Sequence, residues 1–190
     1  MKSFPDKNAR KETTTMRLRR DIAAALQLYE SSSFLEIGSA SGFTILSIAE
    51  YFSNGVGLEI NEERLEVARF FGRNTYNVTF KSTTSEDIDD HYDVVFIDAC
   101  HDYENVKNDL MNTLLNNTAK IFTIFFHDYG LVDSGVKKCV LEFFNEDEIT
   151  QSGEYRDWNP LGGPVNDCEA VQIKVTPEIK SRILNQHTSQ

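Results

Sequence analysis

Two short segments of the sequence end in side chains that suit metal binding and proton transfer. Asp98 ends the apolar run YDVVFID, and His127 and Asp128 end the run IFTIFFHD. Two carboxylates and one imidazole, with positions left for water and substrate, suit a divalent ion such as Mg²⁺ or Mn²⁺. The same set would also suit non-haem Fe(II). His101, close behind Asp98, is a second imidazole that can accept a proton near neutral pH.

A second candidate site is a glycine-containing turn between an apolar run and a helical pattern. In the segment FLEIGSASGFTIL, Gly38 and Gly42 permit a sharp turn and the close approach of a ligand to the backbone. Glu59 follows Gly38 by 21 residues, where an acid can accept both hydroxyls of a ribose. The spacing does not fit the dinucleotide fingerprint G-x-G-x-x-G, and the loop of the P-loop nucleotide hydrolases is absent from the sequence.

Alternating strand-like and helix-like segments must position these residues. The expected strands are FLEIG, VGLEI, VTF, YDVVFID and AKIFTIFFHD, and the expected helices cover residues 15–29, 41–52, 61–74, 104–115 and 135–145. This alternation predicts an α/β fold with a mostly parallel sheet and helices on both faces. Ligands bind beyond the carboxyl ends of such strands, and neighbouring strands lie about 5 Å apart. We therefore expect Asp98, His127 and Asp128 to converge.

The C-terminal part of the chain breaks this alternation. The runs EYRDWNPL and EAVQIKV are typical of strands, and Gly162, Gly163 and Pro164 form a turn between them. No helical pattern separates the two runs. We therefore expect an antiparallel C-terminal hairpin at one edge of the sheet, which gives seven strands in all. Trp158 would lie within this hairpin.

Composition places the chain among globular proteins and excludes several classes. The 190 residues are 40% hydrophobic and 26% charged, which is sufficient for one domain with its own core. No apolar run approaches the roughly 18 residues of a membrane span, and residues 1–20 lack the apolar core of a secretory signal. The three cysteines are widely spaced and fit neither a disulfide framework nor a zinc site. We expect a cytoplasmic protein.

The charge is unevenly distributed along the chain. A net charge of −11 disfavours broad contact with a nucleic-acid backbone. Residues 1–20 nevertheless carry seven Lys and Arg against two acids. We expect residues 1–14 to form a basic, flexible arm and residues 15–190 to form a single domain. A basic flap over an anionic ligand and an organelle transit peptide are the alternatives for the arm.

The glycine turn, in its E-x-G-x-x-x-G form, resembles motif I of the class I S-adenosylmethionine-dependent methyltransferases. The resemblance implies a Rossmann-like methyltransferase fold with S-adenosylmethionine as the cofactor. It implies that Glu36 orients the methionine amino group, that Glu59 binds the ribose and that Ile60 contacts the adenine. The residues implied to surround the methionine part are Gly38, Ser39, Ala40 and Gly42. Those implied at the adenine edge are Thr84 and Ser85, although many relatives have Asp where Thr84 stands.

The pattern I-D-x-x-H-x-Y … HDY … GV … EF resembles the methyltransferase family that includes macrolide-sugar O-methyltransferases, over roughly residues 34–145. It is more distantly similar to catechol-type O-methyltransferases. That similarity implies Asp98, His127 and Asp128 as metal ligands. Asp98 is also a candidate catalytic and cofactor-binding residue, since an acid at the end of the fourth strand of this fold faces the methyl group of the cofactor. It implies His101 as the general base, where catechol-type enzymes have a lysine. Many sugar-modifying relatives carry Asp where Cys100 stands, which leaves the base function to His101 alone or weakens it. The alternative is a site without metal, in which Asp98 only faces the methyl group of the cofactor and His127 forms a hydrogen bond to Asp98 or to a neighbouring backbone carbonyl oxygen.

These observations predict a methyltransferase acting on the oxygen of a sugar or other small hydroxylated molecule, assisted by a divalent metal. The N/D-P-P-Y/F motif, typical of methylation at exocyclic nitrogen, is absent from the sequence. The alternatives are a nucleic-acid or protein methyltransferase that uses the basic arm, and a non-catalytic S-adenosylmethionine-binding protein. A metal-dependent hydroxylase conflicts with the cofactor turn. Few residues besides the N-terminal helix and residues 162–167 are available to cover the acceptor, so the acceptor site is open or shared with a second subunit of a homo-oligomer.

Overall fold

The structure is a computed structural model that describes residues 14–155 and 165–187. Within these ranges, a seven-stranded sheet carries helices on both faces. The strands are β1 (Ser33–Ile37), β2 (Asn54–Leu58), β3 (Val78–Lys81), β4 (Val94–Ile97), β5 (Phe122–His127), β6 (Ile149–Tyr155) and β7 (Cys168–Val175). The helices are α1 (Met16–Leu26), α2 (Phe43–Ser47), α3 (Glu62–Gly72), α4 (Tyr103–Asn116), α5 (Val136–Phe143) and α6 (Pro177–His187).

The strands follow the order β3-β2-β1-β4-β5-β7-β6 across the sheet. Strands β1 to β5 run parallel to one another, whereas β7 is antiparallel to both β5 and β6. This confirms the predicted α/β architecture with its antiparallel C-terminal pair. The order reverses between β1 and β4, because β2 and β3 lie on one side of β1 and the later strands on the other. Ligands of such sheets bind in the crevice at the carboxyl ends of the strands where the order reverses.

Each face of the sheet has its own hydrophobic core. On one face, Phe34 of β1 and Phe96 of β4 pack with residues of α1, α2 and α3. On the opposite face, Leu35 and Ile97 of the same strands pack with residues of α4, α5 and α6. Successive residues of a strand point to opposite faces, so burial on both sides explains why these strands are continuously apolar in sequence.

Helix α1 begins where the sequence predicts and anchors the N-terminal end of the described chain. Thr15 caps the helix, because its hydroxyl oxygen accepts a hydrogen bond from the Leu18 N–H. Residues 1–13, most of the predicted basic arm, lie outside the described residues. Thr14, the last residue of that predicted arm, is buried.

Two predicted boundaries in the first half of the chain are wrong. The helix predicted over residues 41–52 consists of α2 and a separate short 3₁₀ helix. The Ser47 hydroxyl donates to the Thr44 carbonyl oxygen at 2.7 Å, and such local bonds compete with helical hydrogen bonding. Strand β2 begins at Asn54, two residues before the predicted run VGLEI.

The C-terminal pair of strands is confirmed, but its first strand begins earlier than the sequence predicts. Of the predicted run EYRDWNPL, β6 contains only Glu154 and Tyr155. The rest of β6 is largely polar, and Gly153 has a φ of +77° where the pairing with β7 becomes irregular. This bulge at the edge of the sheet hides the alternating pattern of a strand. Trp158 and the predicted turn at residues 162–164 lie outside the described residues.

Helix α6 is absent from the sequence prediction. Pro177 occupies its first position, which is a known preference of proline and is the signal that could have located the helix. Ile183 is its one fully buried residue, so the helical periodicity of apolar residues is weak. No helix in the described ranges has the length and apolar character needed to cross a membrane.

Candidate functional site

The two groups of candidate residues meet where β1 and β4 end. Gly38 follows β1, and Asp98 follows β4, its parallel neighbour. Gly38 has a φ of +85°, and a Cβ atom at this position would lie 2.5 Å from the Cα of Ala99. Glycine alone tolerates both the left-handed backbone and this close approach. Residues 38–42, the glycine turn, and the residues that follow β4 therefore form adjoining walls of one crevice.

The glycine turn is held by backbone hydrogen bonds and contains one unpaired polar atom. The N–H groups of Gly38 and Ser39 both donate to the Leu58 carbonyl oxygen, at 2.9 and 2.8 Å, and Gly42 donates to the Ser39 carbonyl oxygen. Ala40 has a φ of +45°, which costs energy in a non-glycine residue and is typical of ligand sites. The Ser39 hydroxyl is buried and has no hydrogen-bond partner among the described residues. Both features favour a ligand-binding turn over a purely structural one.

Glu59 lies against the glycine turn with its carboxylate fixed. One oxygen accepts from the Ala40 N–H at 2.9 Å, and the other accepts from the Asn61 N–H at 2.8 Å. Each oxygen keeps a further lone pair, so the carboxylate can still accept two hydroxyl groups. Ile60 comes next, and 69% of its surface is exposed at the same edge of the sheet.

Glu36 is buried beneath the start of α2. Its carboxylate accepts from the Ile45 N–H at 3.2 Å. Burial raises the pKa of Glu36 well above its ordinary value; the charge of Asp98 adds to the rise, and Arg19 of α1 opposes it. Arg19 is itself buried and donates to the hydroxyl and the carbonyl oxygen of Thr14. Helix α1 thus brings a guanidinium group to this side of the crevice, which the sequence alone did not predict.

Thr84 and Ser85 begin a short 3₁₀ helix after β3. The Ser85 hydroxyl donates to the Asp109 carboxylate at 2.6 Å and accepts from the Asn112 side chain at 3.0 Å. These bonds turn the Ser85 side chain toward α4. Thr84 is exposed, and its hydroxyl oxygen accepts from the Glu86 N–H. The loop lies at the carboxyl edge of the sheet as predicted, while the Ser85 side chain serves to attach it to α4.

The acid-histidine cluster gathers the remaining predicted side chains at one point. It comprises Asp98, His101, His127 and Asp128. His127 Nδ1 forms a hydrogen bond to the Asp98 Oδ1 at 2.7 Å, which is the bond that the metal-free alternative predicts, and lies 3.4 Å from the Asp128 Oδ1. Asp98, His127 and Asp128 each offer one candidate ligand atom, and these three atoms all lie within 4.8 Å of one another. Asp128 has a φ of +58°, so the backbone is strained to place its carboxylate here.

His101 forms a hydrogen bond to the other oxygen of Asp128. The distance from His101 Nδ1 to the Asp128 Oδ2 is 2.7 Å, and 46% of the His101 side chain is exposed. The His101 carbonyl oxygen accepts from the Gly135 N–H, which fixes the backbone as well. The hydrogen bond to Asp128 raises the pKa of His101 above its ordinary value. Asp128 therefore orients this imidazole with Nε2 directed away from the carboxylate.

Burial and charge act against each other within the cluster. Burial raises the pKa of Asp98, and the neighbouring His127 reduces that rise. Burial alone would lower the pKa of His127, but the charge and hydrogen bond of Asp98 outweigh it and hold this pKa well above its ordinary value. Burial would raise the pKa of Asp128, yet the hydrogen bond from His101 lowers it overall. Carboxylates that attract protons to imidazoles in this way attract a metal ion for the same electrostatic reason.

Glu169 of β7 is a fifth ionisable group at the cluster, and the sequence analysis missed it. Its Oε1 lies 3.4 Å from the His127 Nε2, and the side chain is almost fully buried. The carboxylate also accepts from the Thr15 N–H, the Thr15 hydroxyl and the Glu154 N–H. Burial opposes ionisation, but the hydrogen bonds from His127 and Thr15 lower the pKa of Glu169 overall. An acid at the start of an otherwise buried strand was the available signal.

Three other side chains near the cluster have structural partners. Cys100 is exposed, and its thiol donates to the carboxylate of Asp102, the N-cap of α4. This bond contributes most to lowering the pKa of Asp102 to about 2. Tyr103 donates its hydroxyl to Glu142 of α5, and Tyr129 is buried in the core. The tyrosines that flank the predicted metal ligands thus mainly join helices and fill the core.

Comparison with known proteins identifies the family and the fold of the chain. A family model described as a methyltransferase domain matches residues 35–129, which is half of the chain. The matched region contains the glycine turn, Glu59 and the whole acid-histidine cluster. No curated protein matches the sequence at a significant level.

Several solved structures share the fold at low sequence identity. The O-methyltransferase from Bacillus cereus, in complex with SAH, is 15% identical with a TM-score of 0.66, and the match covers 89% of this chain and 84% of that one. The O-methyltransferase TomG from Streptomyces achromogenes, involved in tomaymycin synthesis, is 13% identical with a TM-score of 0.64, covering 87% and 82%. An rRNA methylase from Streptococcus thermophilus is 12% identical with a TM-score of 0.58, covering 86% and 99%. At such identities the likeness concerns the Rossmann-like methyltransferase fold alone.

Proposed function

The chain belongs to the methyltransferase domain family, which confirms its resemblance to class I S-adenosylmethionine-dependent methyltransferases. We propose that it methylates a hydroxyl oxygen of a sugar or other small molecule. A divalent ion, Mg²⁺ or Mn²⁺, held by Asp98, His127 and Asp128 assists this reaction. The observation that carries the proposal is the meeting of the glycine turn with the acid-histidine cluster at the ends of β1 and β4.

The residues around the glycine turn suit S-adenosylmethionine. This cofactor supplies a methyl group carried on a positively charged sulfur. Glu59, fixed by two backbone N–H groups, has free lone pairs for the ribose hydroxyls, and the exposed Ile60 offers an apolar surface to the adenine. The buried, unpaired Ser39 hydroxyl and the strained Ala40 mark the turn as the place for the methionine part. Glu36, buried beneath the start of α2, is the proposed partner of the methionine amino group.

The chemistry of the acid-histidine cluster suits a hard or borderline divalent ion. Two carboxylates and one imidazole offer one ligand atom each within a small space and leave coordination positions for other ligands. A bound ion would lower the pKa of an acceptor hydroxyl and orient it. Asp128 can take part in metal binding and still orient His101, because its two oxygens face different imidazoles.

His101 is the proposed general base. Its Nδ1 is bonded to Asp128, so Nε2 is the atom that accepts the proton of the acceptor hydroxyl as the oxygen takes the methyl group. A half-exposed imidazole can receive this proton from the acceptor and pass it to solvent. Cys100 takes no part in this proposal, since its thiol is bonded to Asp102.

A nucleic-acid acceptor is the second candidate. The rRNA methylase among the structural neighbours and the seven Lys and Arg of residues 1–20 favour it. The net charge of −11 disfavours it, because the phosphate backbone would be repelled by most of the surface. We further propose a cytoplasmic location, in keeping with three cysteines that are all free thiols.

Calorimetry tests the proposal directly. S-adenosylmethionine is titrated into the wild type, Asp98→Ala and the control Asp133→Ala, each with and without Mn²⁺, and Mn²⁺ is then titrated alone. Asp133 is an exposed acid beyond β5 that lies outside the cluster. We expect cofactor binding in the wild type and the control, with a separate heat of Mn²⁺ binding that Asp98→Ala loses.

The outcomes separate the parts of the proposal. Cofactor binding without any heat from Mn²⁺ would remove the metal while leaving the methyltransferase. No cofactor binding in the wild type would overturn the proposed function as a whole. If both ligands bind, methyl transfer is assayed on a panel of sugars and phenols, with RNA as the competing class of acceptor.

A further inference from the structure

We propose that Glu169 is a positioning residue that holds the His127 ring so that Nδ1 faces the metal site, and that it ties the start of α1 to this site. The inference rests on the proposed metal ion at Asp98, His127 and Asp128. It assigns a role to a buried carboxylate that lies on β7, outside the segment that the family model covers.

The two nitrogens of the His127 ring face carboxylates on opposite sides. Nδ1 lies 2.7 Å from the Asp98 Oδ1, and Nε2 lies 3.4 Å from the Glu169 Oε1. A neutral imidazole carries its proton on one nitrogen and a lone pair on the other. In this structure the shorter contact of the ring is the hydrogen bond between Nδ1 and Asp98. With a metal ion bound, Nε2 would donate its proton to Glu169, and the Nδ1 lone pair would be directed to the side of Asp98 and Asp128, where the ion would be held. Metal-binding histidines commonly use such a carboxylate partner to fix the ring and strengthen the ligand.

Glu169 is held too firmly to turn away from His127. Its Oε1 accepts from the Thr15 N–H at 2.8 Å as well as facing the imidazole. Its Oε2 accepts from the Thr15 hydroxyl and from the Glu154 N–H. A Cβ at Gly153 would lie 2.5 Å from this oxygen, so the glycine bulge of β6 provides the space for the carboxylate. The side chain therefore has four donors around it and almost no exposure to solvent.

The other contacts of the ring agree with a fixed orientation. Phe96 of β4 packs edge-on against the His127 ring, with centroids 5.8 Å apart. Strand pairing places His127 opposite Ala170, the neighbour of Glu169 on β7. The antiparallel C-terminal strand thus delivers the carboxylate to the far side of the ring from Asp98.

The same carboxylate attaches α1 to the site. Thr15 is the N-cap of α1, and both its N–H and its hydroxyl donate to Glu169. Helix α1 is also linked to β6, where Asp21 accepts from the Ser152 hydroxyl and the Gly153 N–H. This link does not touch His127. Asp21 therefore offers a matched control that loosens the same helix without altering the ring.

The experiment measures Mn²⁺ binding to the full-length protein by electron paramagnetic resonance. Glu169→Gln, Asp21→Asn and Asp98→Ala are compared with the wild type, and electron spin-echo modulation reports the nitrogen bound to Mn²⁺. We expect Glu169→Gln to weaken Mn²⁺ binding by about tenfold to a hundredfold and to alter the nitrogen signal. Asp21→Asn should lower the unfolding midpoint but leave both the Mn²⁺ affinity and the nitrogen signal unchanged.

The results distinguish failure of this inference from failure of the proposed metal site. The role of Glu169 would be overturned if Glu169→Gln left both the Mn²⁺ affinity and the nitrogen signal unchanged. If Asp98→Ala lost Mn²⁺ binding in the same experiment, the metal site itself would still stand. No Mn²⁺ binding in the wild type would overturn both. Equal losses in Glu169→Gln and Asp21→Asn would show that docking of α1, and not the ring contact, controls the metal site. If Glu169→Gln does not fold, Glu169→Asp, which keeps the charge but withdraws it from the ring, takes its place with the same expectations.

Discussion

The glycine turn and the acid-histidine cluster lie side by side but are built in different ways. The turn is held by its own backbone N–H groups, which donate to the Leu58 carbonyl oxygen and the Glu59 carboxylate at the end of the neighbouring strand β2. The cluster is held by side-chain bonds between β4, β5, β7 and the start of α1. The difference shows that backbone groups shape one wall, whereas ionisable side chains brought together by tertiary contacts shape the other. Changes in the two walls should therefore separate cofactor binding from turnover.

The largest effect is expected from His101→Gln. Loss of the proposed general base should lower turnover by about 100-fold to 10,000-fold. S-adenosylmethionine binding should not change, because His101 touches the cluster and not the glycine turn. His91→Gln is the matched control, since His91 is also half-exposed and its Nε2 lies 2.8 Å from the Asp93 Oδ1. Asp93 precedes β4, so this pair lies at the amino end of that strand, away from the cluster. Equal turnover in the two variants would remove His101 from the mechanism.

A change in the glycine turn should weaken cofactor binding. Gly38→Ala would force a side chain into the left-handed backbone, which costs about 1–3 kcal/mol in unfolding free energy. The new Cβ would also clash with the Asp98 carbonyl oxygen, so the total loss should exceed this range. The displaced backbone would also spoil the fit of the turn to the cofactor, and a loss of about 1.4 kcal/mol of binding free energy would weaken cofactor binding about tenfold. Gly55→Ala, whose Cβ would meet the Phe52 ring at the far edge of the sheet, is the control. Urea denaturation and calorimetry check both variants, and intact cofactor affinity in Gly38→Ala would contradict the assignment of the turn.

The same difference explains what the sequence could predict. Gly38, Glu59 and Asp98 were located because apolar runs and glycine spacing identify the ends of parallel strands. Glu169 was missed, because its importance arises only when an antiparallel strand places it beside His127. Thr15 was identifiable as part of a helix start, but its bond to a carboxylate 154 residues later has no local signal.

The sequence prediction misplaced β6 and missed α6 for a related reason. The bulge at Gly153 is a local irregularity that only pairing with β7 stabilises, and it hid β6 among polar residues. Helix α6 has a proline at its start but few buried residues, so periodicity alone could not identify it. Elements that depend on tertiary contacts are thus the ones that sequence patterns describe least well.

The pH dependence of turnover tests how the cluster tunes its base. The Asp128 hydrogen bond raises the pKa of His101, so the neutral, proton-accepting form gains as pH rises through a value above the ordinary histidine pKa of about 6.5. Turnover should therefore increase with pH across that range. The hydrogen bond between His101 and Asp128 has the opposite pH dependence in its effect on folding. Its contribution to the free energy of unfolding is complete below about pH 6.5 and is lost as pH rises through the folded-state pKa of His101.

Asp128→Asn should move the activity profile in a defined direction. Removal of the carboxylate charge lowers the pKa of His101 and shifts the rising limb of the profile to lower pH, while the loss of a metal ligand reduces the maximum. Glu142→Gln is the control, because Glu142 bonds to Tyr103 outside the cluster. An unshifted limb in Asp128→Asn would show that a group other than His101 accepts the proton.

The smallest effect on turnover is expected where α1 meets the cluster. Thr15→Ala removes a helix cap and a hydrogen bond to the buried Glu169, and it should lower the unfolding free energy by about 2 kcal/mol. Asn61→Ala removes only the cap of α3, where its side chain accepts from the Arg64 N–H, and should cost about 1 kcal/mol. The backbone N–H of Thr15 still donates to Glu169 in the variant, so the ring of His127 keeps its partner. Urea denaturation measures the loss of unfolding free energy in each variant, and the difference between the two losses is the contribution of the Thr15 hydroxyl bond to Glu169. Equal losses would mean that packing, and not this carboxylate, attaches α1 to the cluster.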